Sequence, residues 1–289
     1  MLALRLRIHI ALHPLSLIGE GRILKLGIMI SLKDYMTINV PRVDFSELLL
    51  FDGDRERITE RVLQELHRKA RPSIEFVHAQ EFITYKGRDV LLDLASEDEA
   101  FRAACVSAIE LTRDYATALG NVSIVIHPGG IRKKVENREG LLSNLELSLK
   151  SLGPSRLLLE NMPWFYWHRK LDRMYSSICV SVDDLERFAH LVHGFTLDVC
   201  HGYLSKPEGD PGYCSRFLSS FGDRTRHAHV SDARAPDKEG LQIGDGHVDF
   251  SCLNGLDVPI TIEVWKGHEN GGAGFRMGIE RLRNMEKRW

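Results

Sequence analysis

Short apolar runs dense in Val, Ile and Leu recur along the chain, separated by longer stretches with amphipathic spacing. Those at 26–31, 43–50 (VDFSELLL), 73–77 (SIEFV), 122–126 (VSIVI), 156–160 (RLLLE), 195–199 (FTLDV), 226–230 (RHAHV) and 260–264 (ITIEV) each have the length of a strand and predict eight of them. Helices are predicted in the intervals. Ser96 with Glu99 and Ser181 with Asp184 match the Ser/Thr-x-x-acid start signal, in front of AFRAACVSAIELTRDYATAL and LERFAHLV. Further helical segments are expected at 57–69, 135–152, 212–221 and 273–287. The link LKDYMTINVPR between the first two strands is too short for a full helix, so the first βα unit reads as degenerate. Alternation of this kind predicts an α/β fold, a (β/α)8 TIM barrel, with an open doubly wound sheet as the alternative. No repeat, low-complexity tract or linker divides the chain, so 23–289 is expected to be a single barrel domain preceded by an N-terminal extension or short hairpin at 1–22. Arg5, Arg7, His9 and His13 interrupt that extension, and neither a targeting signal nor a membrane span is expected of it.

Composition narrows the function classes. Among 289 residues, 43% are hydrophobic and 27% charged, and the formal net charge is −2. No global field draws the chain to nucleic acid or an anionic membrane, which weighs mildly against a nucleic-acid partner while leaving room for a local basic patch. Cys105, Cys179, Cys200, Cys214 and Cys252 are scattered, odd in number and without a Cys-x-x-Cys, which points to reduced thiols, a cytoplasmic setting and no thiolate metal cluster.

The strands carry costly polar groups at their downstream ends. His78 follows SIEFV, His127 follows VSIVI, Glu160 closes RLLLE, Asp198 and His201 end FTLDVCH, His229 lies in HAHVSD and Glu263 in ITIEV. Any one of these alone is most simply a satisfied polar residue. Six strands each delivering an acid or imidazole, 31 to 49 residues apart, are in phase with a βα repeat, and barrel strands bring such ends to one face. Carboxylates packed together there would repel, whereas a divalent cation removes the repulsion and holds imidazoles neutral. A metal site accounts for the set.

The motifs HAQEF, IHPGG, LLLENMP, LDVCHGYL, HAHVSDARAP with LQIGDGHVDF, and ITIEV, from about Ile74 to Val264, resemble in order those of the xylose isomerase-like TIM barrels, which include endonuclease IV and sugar isomerases and epimerases. The resemblance implies Glu160, Asp198, His229 and Glu263 as ligands of one metal, and His78 and His127, with Glu160 bridging, as ligands of a second. The two-histidine portion is typical of the endonuclease branch and often missing from the epimerases. The Asp-x-His pair that completes a third zinc site in that branch is replaced here by Lys238 and Gly240, while Asp245 and His247 stand out of register.

Oxygen and nitrogen ligands call for a hard or borderline ion: Mn2+ or Zn2+ first, with Mg2+, Fe2+ and Co2+ admissible, in one or two copies. The leading expectation is isomerisation or epimerisation of a carbohydrate or sugar phosphate. Glu160 and Glu263 would move the proton and His201 would orient a substrate hydroxyl. Around them, Trp164, Phe165, Tyr166, Trp167 and His168 follow strand five and would cover a sugar or plug a loop. Lys266 and His268 precede a glycine-rich helix start that could hold a phosphate, and Arg234 would reach a substrate oxygen. His67, His190 and His193 read as packing or surface residues. The rival readings are a metal-dependent phosphoester hydrolase acting on DNA or a small ester, and a barrel that binds metal without turnover.

Overall fold

The computed structural model of the protein describes residues 23–289 except 36, 39, 41–42, 55–56, 70–71, 135–136 and 169–171. The expected extension at 1–22 lies outside the described residues. Eight parallel strands form a closed barrel: β1 (Leu26–Ile30), β2 (Phe45–Leu49), β3 (Ile74–His78), β4 (Ser123–Ile126), β5 (Leu157–Glu160), β6 (Gly194–Asp198), β7 (Thr225–Val230) and β8 (Ile260–Ile262). Pairing of β1 with β8, Leu26 opposite Ile260, closes the circle and excludes the open sheet. Every strand expected from the apolar runs is present.

The helices are α1 (Glu60–Lys69), α2 (Glu99–Ala118), α3 (Arg138–Leu152), α4 (Val182–Glu186), α5 (Val199–Tyr203), α6 (Tyr213–Phe221) and α7 (Glu269–Glu286). Among the described residues no α-helix joins β1 to β2, so the first unit is degenerate. The start of α2 differs in detail from the sequence expectation. Asp98, not Ser96, accepts from the Phe101 amide at 3.0 Å, because a carboxylate one residue before the helix is the better placed cap. Buried Cys105, Ile109, Thr112 and Ala116 recur every three to four residues along α2 and turn that stripe to the barrel. Ser181 caps α4 as expected, but the helix is only five residues long. In α7 the backbone at Asn270, Gly271 and Gly272 is left-handed, so the regular helix begins after Gly272. All five cysteines are free, and among the described residues no helix is long and apolar enough to cross a membrane.

Alternation along each strand stacks the barrel interior in layers. The floor is apolar: Phe45, Phe76, Val125 and Leu158 form one cluster, made possible by Gly27, whose absent Cβ would stand 2.4 Å from the Phe45 ring. Glu47, two residues beyond Phe45 on β2, and Thr196, His227 and Thr261 on β6, β7 and β8 are all 0% exposed. The next step upward is the mouth, where the downstream strand ends and their loops meet. Three small antiparallel ribbons rise around it: 82–85 with 88–91, 131–132 with 165–168 and 172–176, and 232–234 with 238–241.

Candidate metal centre and cavity

His78, Glu160 and Asp198 are the last residues of their strands, His127 and Glu263 follow theirs directly, and His229 is next to last in β7. All six side chains converge. Glu160 Oε2 lies 3.5 Å from His78 Nε2, His127 Nε2 and His229 Nδ1, and His229 Nδ1 is 3.1 Å from Glu263 Oε2 and 4.0 Å from Asp198 Oδ2. Among the described residues four triads have ligand atoms close enough to share an ion: His78, His127 and Glu160; Asp198, His229 and Glu263; Glu160, Asp198 and His201; and, deeper in the barrel, Glu47, His227 and His229. Ligands about 2.1 Å from a tetrahedral ion stand about 3.4 Å from one another, which is the spacing seen here.

The donor set fits a divalent cation on a second ground. Both carboxylate oxygens of Glu160 and Nδ1 of His229 are buried without a hydrogen-bond partner, a costly state unless something positive stands between them. Neighbouring atoms fix the tautomers that such an ion needs. His78 Nδ1 donates to the Ala79 carbonyl at 2.8 Å, leaving the Nε2 lone pair toward Glu160. His201 Nδ1 donates to the Asn161 carbonyl at 3.0 Å. Asp198 uses Oδ1 to accept the His201 amide at 2.6 Å as the cap of α5, leaving Oδ2 for the centre.

The metal-free electrostatics show how crowded the site is. Burial pulls the His78 imidazole down, but pairing with Glu160 outweighs it and raises it to about 9. Burial, reinforced by Glu160 and Glu263, pushes Asp198 up to about 7 against the pull of His201.

Above the centre opens a cavity of about 280 Å3. Phe82, Tyr166, Trp167 and Trp265 supply its aromatic walls, and Glu81, Asp198, Glu239 and Glu263 bring carboxylates to it. His127 and His201 also face it, and among its described lining residues there is no Lys or Arg. Tyr166 Oη donates to Glu81 at 2.9 Å and Trp167 Nε1 to the Asp237 carbonyl at 3.1 Å. Trp265 packs against the hairpin at Gly240, where φ is +68° and a Cβ would strike the indole at 2.2 Å. Glu239 Oε2 stands 3.8 Å from His201 Nε2 and has no hydrogen-bond partner. Burial, with Asp198 nearby, raises the Glu239 carboxyl to about 7 although His201 opposes it.

The other sequence candidates lie elsewhere. Trp164 lines a separate cavity with Ser176, Ser177 and Tyr213. Arg234 Nη2 donates to the Asp245 carbonyl at 2.5 Å, Asp245 itself pairs with Arg281 at 2.6 Å, and Arg234 does not line the mouth cavity. Lys266 and His268 are in the turn before α7 and do not line it either. Glu47, His227, Glu81, Glu239 and Trp265 escaped the sequence reading. Glu81 lay within the HAQEF motif, and Glu239 between the two positions weighed as zinc ligands, where hairpin alternation turns the middle residue inward.

Asp232 explains why two separated motifs act together. Its buried carboxylate accepts from the amides of Ala233, Gly244, Gly246 and Val248 at 2.8 to 3.0 Å, tying HAHVSD to IGDGHV.

Residues 43–285 match the family described as xylose isomerase-like TIM barrel. A D-tagatose 3-epimerase-like protein superposes with a TM-score of 0.64 at 20% identity, over 91% of this chain and 100% of that one. An E. coli 3-keto-D-glucoside 4-epimerase does so at 0.64 and 14%, over 91% and 100%. Endonuclease IV from Thermus thermophilus follows at 0.60 and 16%, over 90% and 99%. At these identities the likeness shows the fold. No curated protein matches the chain.

Proposed function

The chain belongs to the xylose isomerase-like TIM barrel family, and from that premise we propose that it is a divalent-metal-dependent isomerase or epimerase of an uncharged sugar or related polyhydroxy carbonyl compound. The observation that carries this reading is a ligand cluster of acids and imidazoles at the floor of a cavity walled by aromatic rings and carboxylates, with no Lys or Arg among its described lining residues. A cavity of about 280 Å3 is at the small end of ligand sites and suits a monosaccharide rather than a polymer. A carboxylate wall favours hydroxyl donors and repels a phosphate, so the unphosphorylated sugar is the better fit.

Mn2+ or Zn2+ suits the donor set. A divalent ion held by Asp198, His229, Glu263 and Glu160 supplies polarisation of the substrate carbonyl and the adjacent hydroxyl, which acidifies the carbon between. The remaining chemistry belongs to the side chains. Glu263, 29% exposed, faces the cavity and is placed to take or return a proton, and Glu160, 1% exposed, is the deeper partner. His201 holds its ring by Nδ1 and turns Nε2 to the cavity, where with Glu239 it can position a hydroxyl. Tyr166, Trp167 and Trp265 present faces for the apolar side of a sugar ring and exclude water.

One observation favours phosphoester hydrolysis, the His78–His127–Glu160 triad as a second ion site. Against it stand the acid-walled cavity and the replacement of a third-site ligand pair by Lys238 and Gly240, the latter packed on Trp265. The test is solvent deuterium incorporation by the metal-loaded protein into a panel of keto-sugars and their phosphates, alongside cleavage of abasic-site DNA. Exchange into an unphosphorylated sugar, lost in Glu160→Gln with the fold intact, is the expected result. DNA cleavage without exchange would overturn the reading.

A further inference from the structure

Glu47 is an ionisable residue in the sealed layer below the mouth. It is 0% exposed, as are its two imidazole partners, His227 and His229. His229 Nε2 lies 3.1 Å from Glu47 Oε1 and 3.0 Å from Oε2, and His227 Nε2 lies 3.4 Å from Oε2. His227 is held in turn by Thr261 Oγ1 at 2.9 Å and by the Phe76 ring stacked on it at 4.0 Å. No Lys or Arg among the described residues pairs with Glu47. A carboxylate taken this far from water is expensive and calls for a role.

The spacing of Glu47, His227 and His229 would itself admit an ion. Two facts argue against one. Every member is sealed, with the Phe45 and Phe76 rings packed against His227, and an ion there would claim Nε2 of His229 while Nδ1 faces the ligand cluster above. Both nitrogens of one ring would then have to be lone pairs.

We propose instead that Glu47 is a positioning residue for the metal centre, accepting the Nε2 proton of His229 and thereby aiming the Nδ1 lone pair at the space between Asp198, Glu160 and Glu263. The geometry supports this in both directions. Nδ1 of His229 is buried and unpartnered, as a ligand atom awaiting a cation would be. The opposite tautomer would set a lone pair against two carboxylate oxygens at 3.0 and 3.1 Å, a repulsive arrangement. A carboxylate behind an imidazole ligand fixes its tautomer and orientation and raises its basicity, and its loss weakens metal binding about 10- to 100-fold. His227, itself held by Thr261, stands 3.4 Å from Glu47 Oε2 and so contacts the same carboxylate as His229. The inference rests on the reading of the mouth as a metal centre.

The test is Co2+ titration of the metal-depleted protein, following the visible d–d bands, for wild type, Glu47→Gln and Glu47→Leu. The 15N spectrum of histidine-labelled, zinc-loaded protein serves as an independent readout. In wild type, His229 should carry an exchange-protected proton on Nε2 and metal on Nδ1. Glu47→Leu should bind Co2+ about 10- to 100-fold more weakly with altered bands. Glu47→Gln, which keeps an acceptor oxygen, should fall between the two. If the leucine variant does not fold, the glutamine variant decides alone. Wild-type affinity and bands in Glu47→Gln and in any folded leucine variant would overturn the inference while leaving the metal reading intact. A wild type that takes up no Co2+ or Zn2+ would overturn the metal reading, and the inference with it.

Discussion

The carboxamide of Asn161 closes a ring on the backbone of Asp198, its Nδ2 donating to the Asp198 carbonyl and its Oδ1 accepting the Asp198 amide, both at 2.9 Å. Asn161 directly follows β5 and Asp198 ends β6, so the pair fixes the carboxylate of Asp198 relative to Glu160, one residue before Asn161. Asn161 also lends its own carbonyl to His201 Nδ1.

Asn161→Ala removes two buried hydrogen bonds to the Asp198 backbone and is expected to cost about 1–3 kcal/mol of stability, at about 0.5–1.5 kcal/mol for each bond, with weaker metal binding as well. Urea denaturation with and without added Zn2+ measures both effects. A change in neither would show that Asp198 is placed by other contacts.

Asp232 accepts four amides from two segments, so Asp232→Ala should lose about 3 kcal/mol or more and loosen the loop that follows β7. Hydrogen exchange at the amides of Gly244, Gly246 and Val248 is the sensitive readout. Protection equal to wild type would refute the tie.

Protons compete with the cation. His78 is raised from 6.5 to about 9 and Asp198 from 3.8 to about 7 in the metal-free fold. For both, the folded value exceeds the unfolded one, so the stability each adds is complete below its unfolded value and is lost as pH rises through the folded one. Metal-free protein should therefore lose stability between pH 3.8 and 7 through Asp198 and between pH 6.5 and 9 through His78, whereas metal affinity should rise over the same span as the two groups give up protons. Calorimetry in buffers of different ionisation enthalpy would register proton release on metal binding. Affinity independent of pH across the window would contradict these ligand assignments.

Glu239 tests the substrate's charge. Its side chain lines the cavity and its Oε2 has no hydrogen-bond partner, so Glu239→Gln should lower kcat/KM for an uncharged sugar about 10- to 100-fold through loss of a carboxylate hydrogen bond. Glu239→Lys should narrow the preference for the sugar over its phosphate. Unchanged discrimination in both variants would place substrate recognition elsewhere.

Much of this protein was legible along the chain because the relevant physics is local. Apolar runs of strand length mark β1 to β8, and the acid or imidazole at the end of six of them falls on one face of any barrel those strands close. That convergence follows from a repeat of about one βα unit, and it holds for residues as far apart as His78 and Glu263.

Tertiary structure alone decided the rest. Glu47 and His229 are 182 residues apart and meet across the barrel interior, a contact set by closure and not by any pattern near either residue. Glu239 turns into the cavity because of the pairing of its hairpin, Arg234 is drawn to the Asp245 carbonyl, and Trp164 settles into a different cavity. Strand spacing says which end of the barrel a side chain reaches. Which nitrogen of a ring carries the proton, and which way a loop residue points, depends on partners that come within 3 to 4 Å only when the circle of strands is complete.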